Sequence, residues 1–319
     1  MLKEEELSNC LSQQIPFMML TLPSENGQKR SFDRLGIELN LSSFSMKPFS
    51  DESKGIDDFV MNESEYLSRV QSLIDEMKSG FYEKAVFSRI IQVPRNAQHT
   101  ISKIYNRLAE KYPNAFVFAI QNNEGQLWMG ASPEYLFRRK GNICETMALA
   151  ATQKKKEGFS LSDYEWNVKE RHEHDVVVSF LQNKLSNLVC KKIEVGPTLT
   201  AAAGNLVHLK TIISFETQMS DHDLALNLHP TPAVCGMPTK EAMDAIFHAE
   251  PHDRSYYTGY IGVNLSKTES IYLVNLRSMK VHTDHFSIYV GGGITARSIA
   301  ENEWKETEIK SRTMLDCIS

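Results

Sequence analysis

The chain has 319 residues, 41% hydrophobic and 24% charged, enough to bury one large core or two intimate ones in ordinary globular proportions. A formal net charge of -5, with no basic run longer than Lys154-Lys155-Lys156, excludes a nucleic-acid partner held through its phosphates. No stretch reaches the 18 apolar residues of a membrane span and the opening Met1 to Glu6 is acidic where a secretory leader is basic, so a cytoplasmic protein without a membrane partner is expected.

Residues 1–60 read as irregular and polar, with one strand over 15–22 and loop material at Ser42-Ser43 and 51–55. Residues 61–319 are expected to carry the main domain. Leu67, Val70, Ile74 and Met77 recur at helical spacing over 65–78, closed by Ser79-Gly80. Residues 85–93 are strand-like and 101–111 helical, and short strands follow at 116–120, 126–129, 135–139 and 143–149. A long helix is predicted over 162–188. Beyond it come a strand near 207–213, helices near Asp221 and over 239–249, strands at 260–265, 271–276 and 286–290, and a terminal helix. Strands succeeding strands at this spacing imply antiparallel pairing, and sheet blocks alternating with helix blocks without strict βαβ order favour an α+β layered sandwich. The five cysteines, Cys10, Cys144, Cys190, Cys235 and Cys317, form no CxxC pair and read as small buried hydrophobes.

A glycine turn, Gly291-Gly292-Gly293-Ile294, leads into a helix on which Glu303, Glu306 and Lys310 share one face. The long helix opens Lys169-Glu170-Arg171-His172-Glu173-His174, which places Glu170 and Glu173 one turn apart. Two such acidic pairs suggest oxygen ligands for Mg²⁺, and equally describe solvated helix faces. The histidines are two apart rather than four, which excludes a zinc helix. Lys84 opens an apolar strand, where burial favours a free amine able to act as base, unless the side chain snorkels to water. Glu134 follows Ser132-Pro133 and is a general acid if its surroundings are dry, or else a solvated turn carboxylate. His208 lies on a strand, and Arg277 closes an apolar strand where a buried guanidinium needs an anion. Successive N–H groups of the 291–293 glycines suit an anion as well as a tight turn.

Seven ordered segments resemble the chorismate-utilising enzymes: 84–89 (Lys-Ala-Val-Phe-Ser-Arg), 130–136, 146–152, 169–174, 229–236, 253–259 and 291–310. The resemblance covers residues 60 to 319. It implies a layered sandwich of two large antiparallel sheets flanked by helices, with Mg²⁺ and chorismate in a cleft between them. It assigns Glu173 and Glu306 as metal ligands and Glu170 and Glu303 to a supporting, water-mediated shell. Arg277, Tyr257 and the backbone of Gly292-Gly293 resemble binders of the enolpyruvyl carboxylate. Lys310 resembles an electrostatic partner in the acidic cluster, and His208 the histidine beside the ring and its leaving hydroxyl.

A lysine at position 84 is similar to the members that add water, as base for attack at C2, with Glu134 protonating the departing C4 hydroxyl. No amidotransferase subunit is then expected. The stretch 229–236, with Ala233, resembles isochorismate synthases more than salicylate synthases, which also eliminate pyruvate. A non-catalytic binding protein of the same fold is the reading from another class. Two departures stand out: Ala151 occupies a position where the family has glycine, and only 83 residues precede Lys84, so a trimmed N-terminal layer is expected. No element like that of the tryptophan-inhibited members is present. Menaquinone and siderophore pathways both fit, the short chain favouring menaquinone.

Overall fold

The computed structural model describes residues 59–319 except 123, 204 and 205, together with residues 5, 7 and 11–13 and three N-terminal strands. One sheet runs β12 (Gly236–Met237), β4 (Lys84–Pro94), β16 (His285–Thr295), β15 (Ser278–Val281), β6 (Leu127–Ser132), β5 (Phe116–Gln121), β1 (Phe17–Leu22) and β2 (Arg30–Leu35). The second runs β10 (Leu199–Ala203), β11 (Leu206–Thr217), β8 (Ile143–Lys154), β7 (Tyr135–Lys140), β14 (Glu269–Val274), β13 (Tyr260–Asn264) and β3 (Phe44–Lys47), with β9 (Cys190–Val195) also on β11. Every pairing is antiparallel. From residue 59 onward the helices are α1 (Glu63–Lys78), α2 (Ile101–Lys111), α3 (Val168–Ser186), α4 (Asp221–Leu228), α5 (Thr239–Ala249) and α6 (Ala300–Ile318). This is the α+β double sheet with flanking helices expected from the sequence.

Helix α1 starts where Asn62 and Glu65 cap each other reciprocally, and it buries Tyr66, Val70, Leu73, Ile74 and Met77. That face joins Phe87 of β4 and Ala300 of α6 in one core, while Ile90 on the same strand packs with Trp128 and Leu273 between the sheets. Covered on both faces, β4 is buried continuously over its first seven residues, which explains its near-unbroken apolar run. A second core seats α3 on β8 and β11 through Val177, Leu181, Ala148 and Ile213.

Three expectations need correction. The long helix begins at Val168 rather than Ser162, because Asn167 and Glu170 form a capping box there. Upstream, residues 161–163 make a single 3₁₀ turn, and Tyr164 and Trp166 pack on Ala151, Val207 and Leu209. Gly291, Gly292 and Gly293 are not a turn: they pair with Ser88, Phe87 and Val86 as the continuation of β16, and none has a positive φ. The N-terminal 60 residues contribute β2 and β3 besides the expected β1; Ser42-Ser43 and 51–55 lie outside the described residues, as does Cys10. The other four cysteines are free thiols, buried except for the half-buried Cys190.

Candidate active site

Strands β4 and β16 of one sheet, β8 and β11 of the other, and helices α3 and α6 converge on a cleft of about 720 Å³, part of it open to solvent, in the range of small-molecule sites. Every candidate residue except Glu170 and Glu303 lines it. Lys84, 3% exposed, does not snorkel; its ammonium donates to Glu173 Oε1 at 3.2 Å. A side chain at Gly293 would begin 2.9 Å from Lys84 Cε and 3.0 Å from Glu173 Oε1. Glycine there is what lets lysine and carboxylate meet across the strand.

The carboxylates are each turned onto a donor. Glu306 accepts from Lys310 at 2.6 Å, and Lys310 also donates to the Gly291 carbonyl at 2.9 Å. Glu303 accepts from Lys169 at 3.5 Å, a link from α6 to α3 that sequence reading left without a role. Glu170 sits behind the cleft, accepting from the Asn167 backbone at 2.8 Å and from Gln153 at 3.1 Å. Burial, with repulsion from Glu306, pushes Glu303 up to about 7. Burial also pushes at Glu173, but the attraction and hydrogen bond of Lys84, helped by Lys310 and Lys169, hold it below the usual carboxylate range.

With each carboxylate so engaged, no three acidic, histidine or cysteine groups among the described residues stand together as an ion-binding set. The donor chemistry nevertheless fits a hard divalent cation. Glu303 Oε2 and Glu306 Oε1 lie 3.5 and 3.6 Å from where a Gly292 side chain would begin, so carboxylates of α3 and α6 approach one two-glycine stretch. All are oxygen donors, and the Glu303–Glu306 repulsion is of the kind a cation relieves.

Glu134 is 3% exposed. Burial, only partly offset by Lys84 and Lys310, raises its carboxyl to about 8, so it is mostly protonated at neutral pH, as a general acid must be. Opposite it, β8 carries a bulge: Ala150 pairs with Leu209 and Gln153 with Val207, leaving Ala151 and Thr152 facing His208 alone. Ala151 takes the left-handed conformation, φ 59°, which such bulges usually give to glycine. Its carbonyl accepts from His208 Nδ1 at 2.9 Å. Burial, with Arg277 and Lys310 adding repulsion, lowers His208 to about 3. The ring is therefore neutral with its proton on Nδ1, and Nε2 is an acceptor 3.5 Å from Arg277 Nη2.

Arg277 also adopts a positive φ, 49°, in the link between β14 and β15. It donates to Thr313 of α6 at 3.4 Å, and burial lowers its pKa. No carboxylate among the described residues lies within 4 Å of this half-buried guanidinium, which leaves it able to take an anion. Tyr257 stacks on Tyr289 at 5.5 Å, and its hydroxyl comes within 3.2 Å of the point where a Gly291 side chain would begin.

A buried acid, a buried lysine and an arginine without a carboxylate partner among the described residues thus share one cleft. The chain belongs to the chorismate binding enzyme family, whose profile matches residues 17–319. It is similar to the isochorismate synthase MenF of Bacillus subtilis, 27% identical over 95% of this chain and 69% of that protein. It is also similar to the isochorismate synthase EntC of Escherichia coli, 30% identical over 73% of this chain and 62% of that protein. The chain thus spans about two thirds of the length of these curated relatives. The solved structure of DhbC from Bacillus anthracis, assigned there as a 2,3-dihydroxybenzoate-specific isochorismate synthase, superposes with a TM-score of 0.75 at 27% identity, covering 99% of this chain and 88% of that one.

Proposed function

We propose that this protein is an isochorismate synthase, converting chorismate to isochorismate with Mg²⁺ and feeding menaquinone or siderophore synthesis. One observation carries the reading: Lys84, a protonated Glu134 and an arginine without a carboxylate partner among the described residues line one cleft. In its deprotonated form the Lys84 amine accepts a proton from water as the water oxygen bonds to ring carbon C2. The ring diene shifts and the C4–O bond breaks, Glu134 giving its proton so that the hydroxyl departs as water. Return of the proton from Lys84 to Glu134 resets the pair, so one water enters and one leaves. Each group, well placed, is worth roughly 10²- to 10⁴-fold in rate.

Arg277, Tyr257 and the Gly292-Gly293 backbone bind the enolpyruvyl carboxylate, neutral His208 faces the ring hydroxyl, and Lys310 balances charge in the acidic cluster. Glu173 and Glu306, backed by Glu170 and Glu303, would hold Mg²⁺, which supplies orientation and charge neutralisation at the ring carboxylate. The scheme adds water where other members add ammonia, with no net consumption of it, and needs no amidotransferase. The test is chromatography of products from purified protein, chorismate and Mg²⁺, with an EDTA control. Isochorismate formed only with metal supports the reading. Salicylate plus pyruvate reassigns the chain to salicylate synthesis, and unchanged chorismate refutes catalysis.

A further inference from the structure

Behind β4, away from the reacting groups, lies a buried ionic pair that the chemistry above does not use. Strand β12 covers β4 only at Lys84 and Ala85. Beyond that point two side chains take over the missing strand's role. Glu250 Oε1 accepts from the Ser88 N–H at 2.6 Å, and Arg254 Nη2 donates to the Val86 carbonyl. The two are bonded to each other twice, Arg254 Nε to Glu250 Oε2 at 2.7 Å and Nη2 to Oε1 at 2.6 Å. Arg254 also reaches the Val234 carbonyl at 3.0 Å and the Thr258 hydroxyl at 3.2 Å.

The segment following this pair carries Tyr257, whose N–H donates to the Arg254 carbonyl at 2.8 Å. Ser255 and Thr258 on either side hold positive φ values of 48° and 61°. Left-handed non-glycine residues are strained and persist only where the surroundings over-determine them. Here the surroundings are Arg254, fixed by Glu250 to the strand that carries Lys84.

We propose that the Glu250–Arg254 pair is a positioning element that sets the Tyr257 hydroxyl in the cleft relative to Lys84, and so governs affinity for the substrate carboxylate. This rests on Tyr257 being a substrate contact. Removing one partner alone strands a buried charge and risks unfolding, so the informative variant is Glu250→Leu with Arg254→Met. Loss of one well-placed hydrogen bond to a charged group is worth about tenfold in affinity. The double variant should therefore raise KM for chorismate about tenfold, as Tyr257→Phe should, and leave kcat within about twofold. Combining all three changes should give no further loss, since both act through one hydroxyl.

Amide hydrogen exchange over residues 253–259 should also quicken in the double variant. Losses that multiply in the triple variant, or a lowered melting temperature with unchanged KM, would overturn the proposal. If the wild-type protein neither binds nor converts chorismate, the functional reading fails; the exchange measurement then still decides, because unchanged protection of 253–259 shows that the pair does not hold the segment.

Discussion

Glu134→Gln separates stability from chemistry at one atom. The wild-type carboxyl stands at about 8 in the fold against an ordinary 4.5, so between those values the folded protein binds a proton that the unfolded chain has lost. Stability must then fall as pH rises through this window. Each pH unit is worth about 1.4 kcal/mol, which from 4.5 to pH 7 accumulates to about 3 kcal/mol carried as a cost by the native enzyme. Glutamine keeps the shape and never ionises. The variant should match the wild type near pH 4, gain on it steadily, and exceed it by about 3 kcal/mol at pH 7, levelling off above pH 8. Urea unfolding at several pH values reads this directly, while turnover falls by about 10²-fold or more through loss of the acid. A difference that does not slope with pH would refute the assignment of a dry, protonated Glu134.

Lys84→Ala should abolish product formation and also destabilise the protein by about 3 kcal/mol in denaturant unfolding, because it leaves Glu173 without its closest cation; retained turnover removes Lys84 from the mechanism. Gly293→Ala places a methyl against Lys84 and Glu173, so calorimetric Mg²⁺ affinity should weaken about tenfold or more, and unchanged affinity would detach this strand from the metal site. Ala151→Gly relieves left-handed strain of about 1 kcal/mol while losing a methyl worth roughly 0.8 kcal/mol against Tyr164 and Trp166. Its stability should stay within about 0.5 kcal/mol of wild type, and a loss of more than twice that would mean the methyl does more than fill space.

Periodicity made the helices and most strands readable, and the shared face of Glu303, Glu306 and Lys310 follows from helical geometry alone. Adjacent glycines favour turns in any local reading. Only pairing with a strand some 200 residues earlier, Gly292 opposite Phe87, decides that 291–293 are extended. Tyr164 and Trp166 fall at spacings a helix would tolerate, yet their partners Val207 and Leu209 are remote in the chain, and the helix waits for its cap at Asn167. Short strands such as β10 and β15 lack the length to stand out from loops. Lys84 was recognisable as special by place, but its burial depends on Gly293 having no side chain. Glu170 was legible as acidic; its use as a capping partner was not, since Asn167 lay inside the helix predicted to start earlier.

The extra residue in β8 also shifts the phase of that strand. Before it, even-numbered Cys144, Ala148 and Ala150 face the core beneath α3; after it, odd-numbered Gln153 points to the same helix and donates to Glu170. Because alternation along a strand has a period of two, deleting either Ala151 or Thr152 would remove the bulge and leave Ala150 and Gln153 in ordinary alternation on the same face, opposite Leu209 and Val207. A single-residue deletion here would therefore keep Gln153 on the side of Glu170 and abolish the bulged backbone whose Ala151 carbonyl holds His208, so the extra residue serves the cleft rather than the helix.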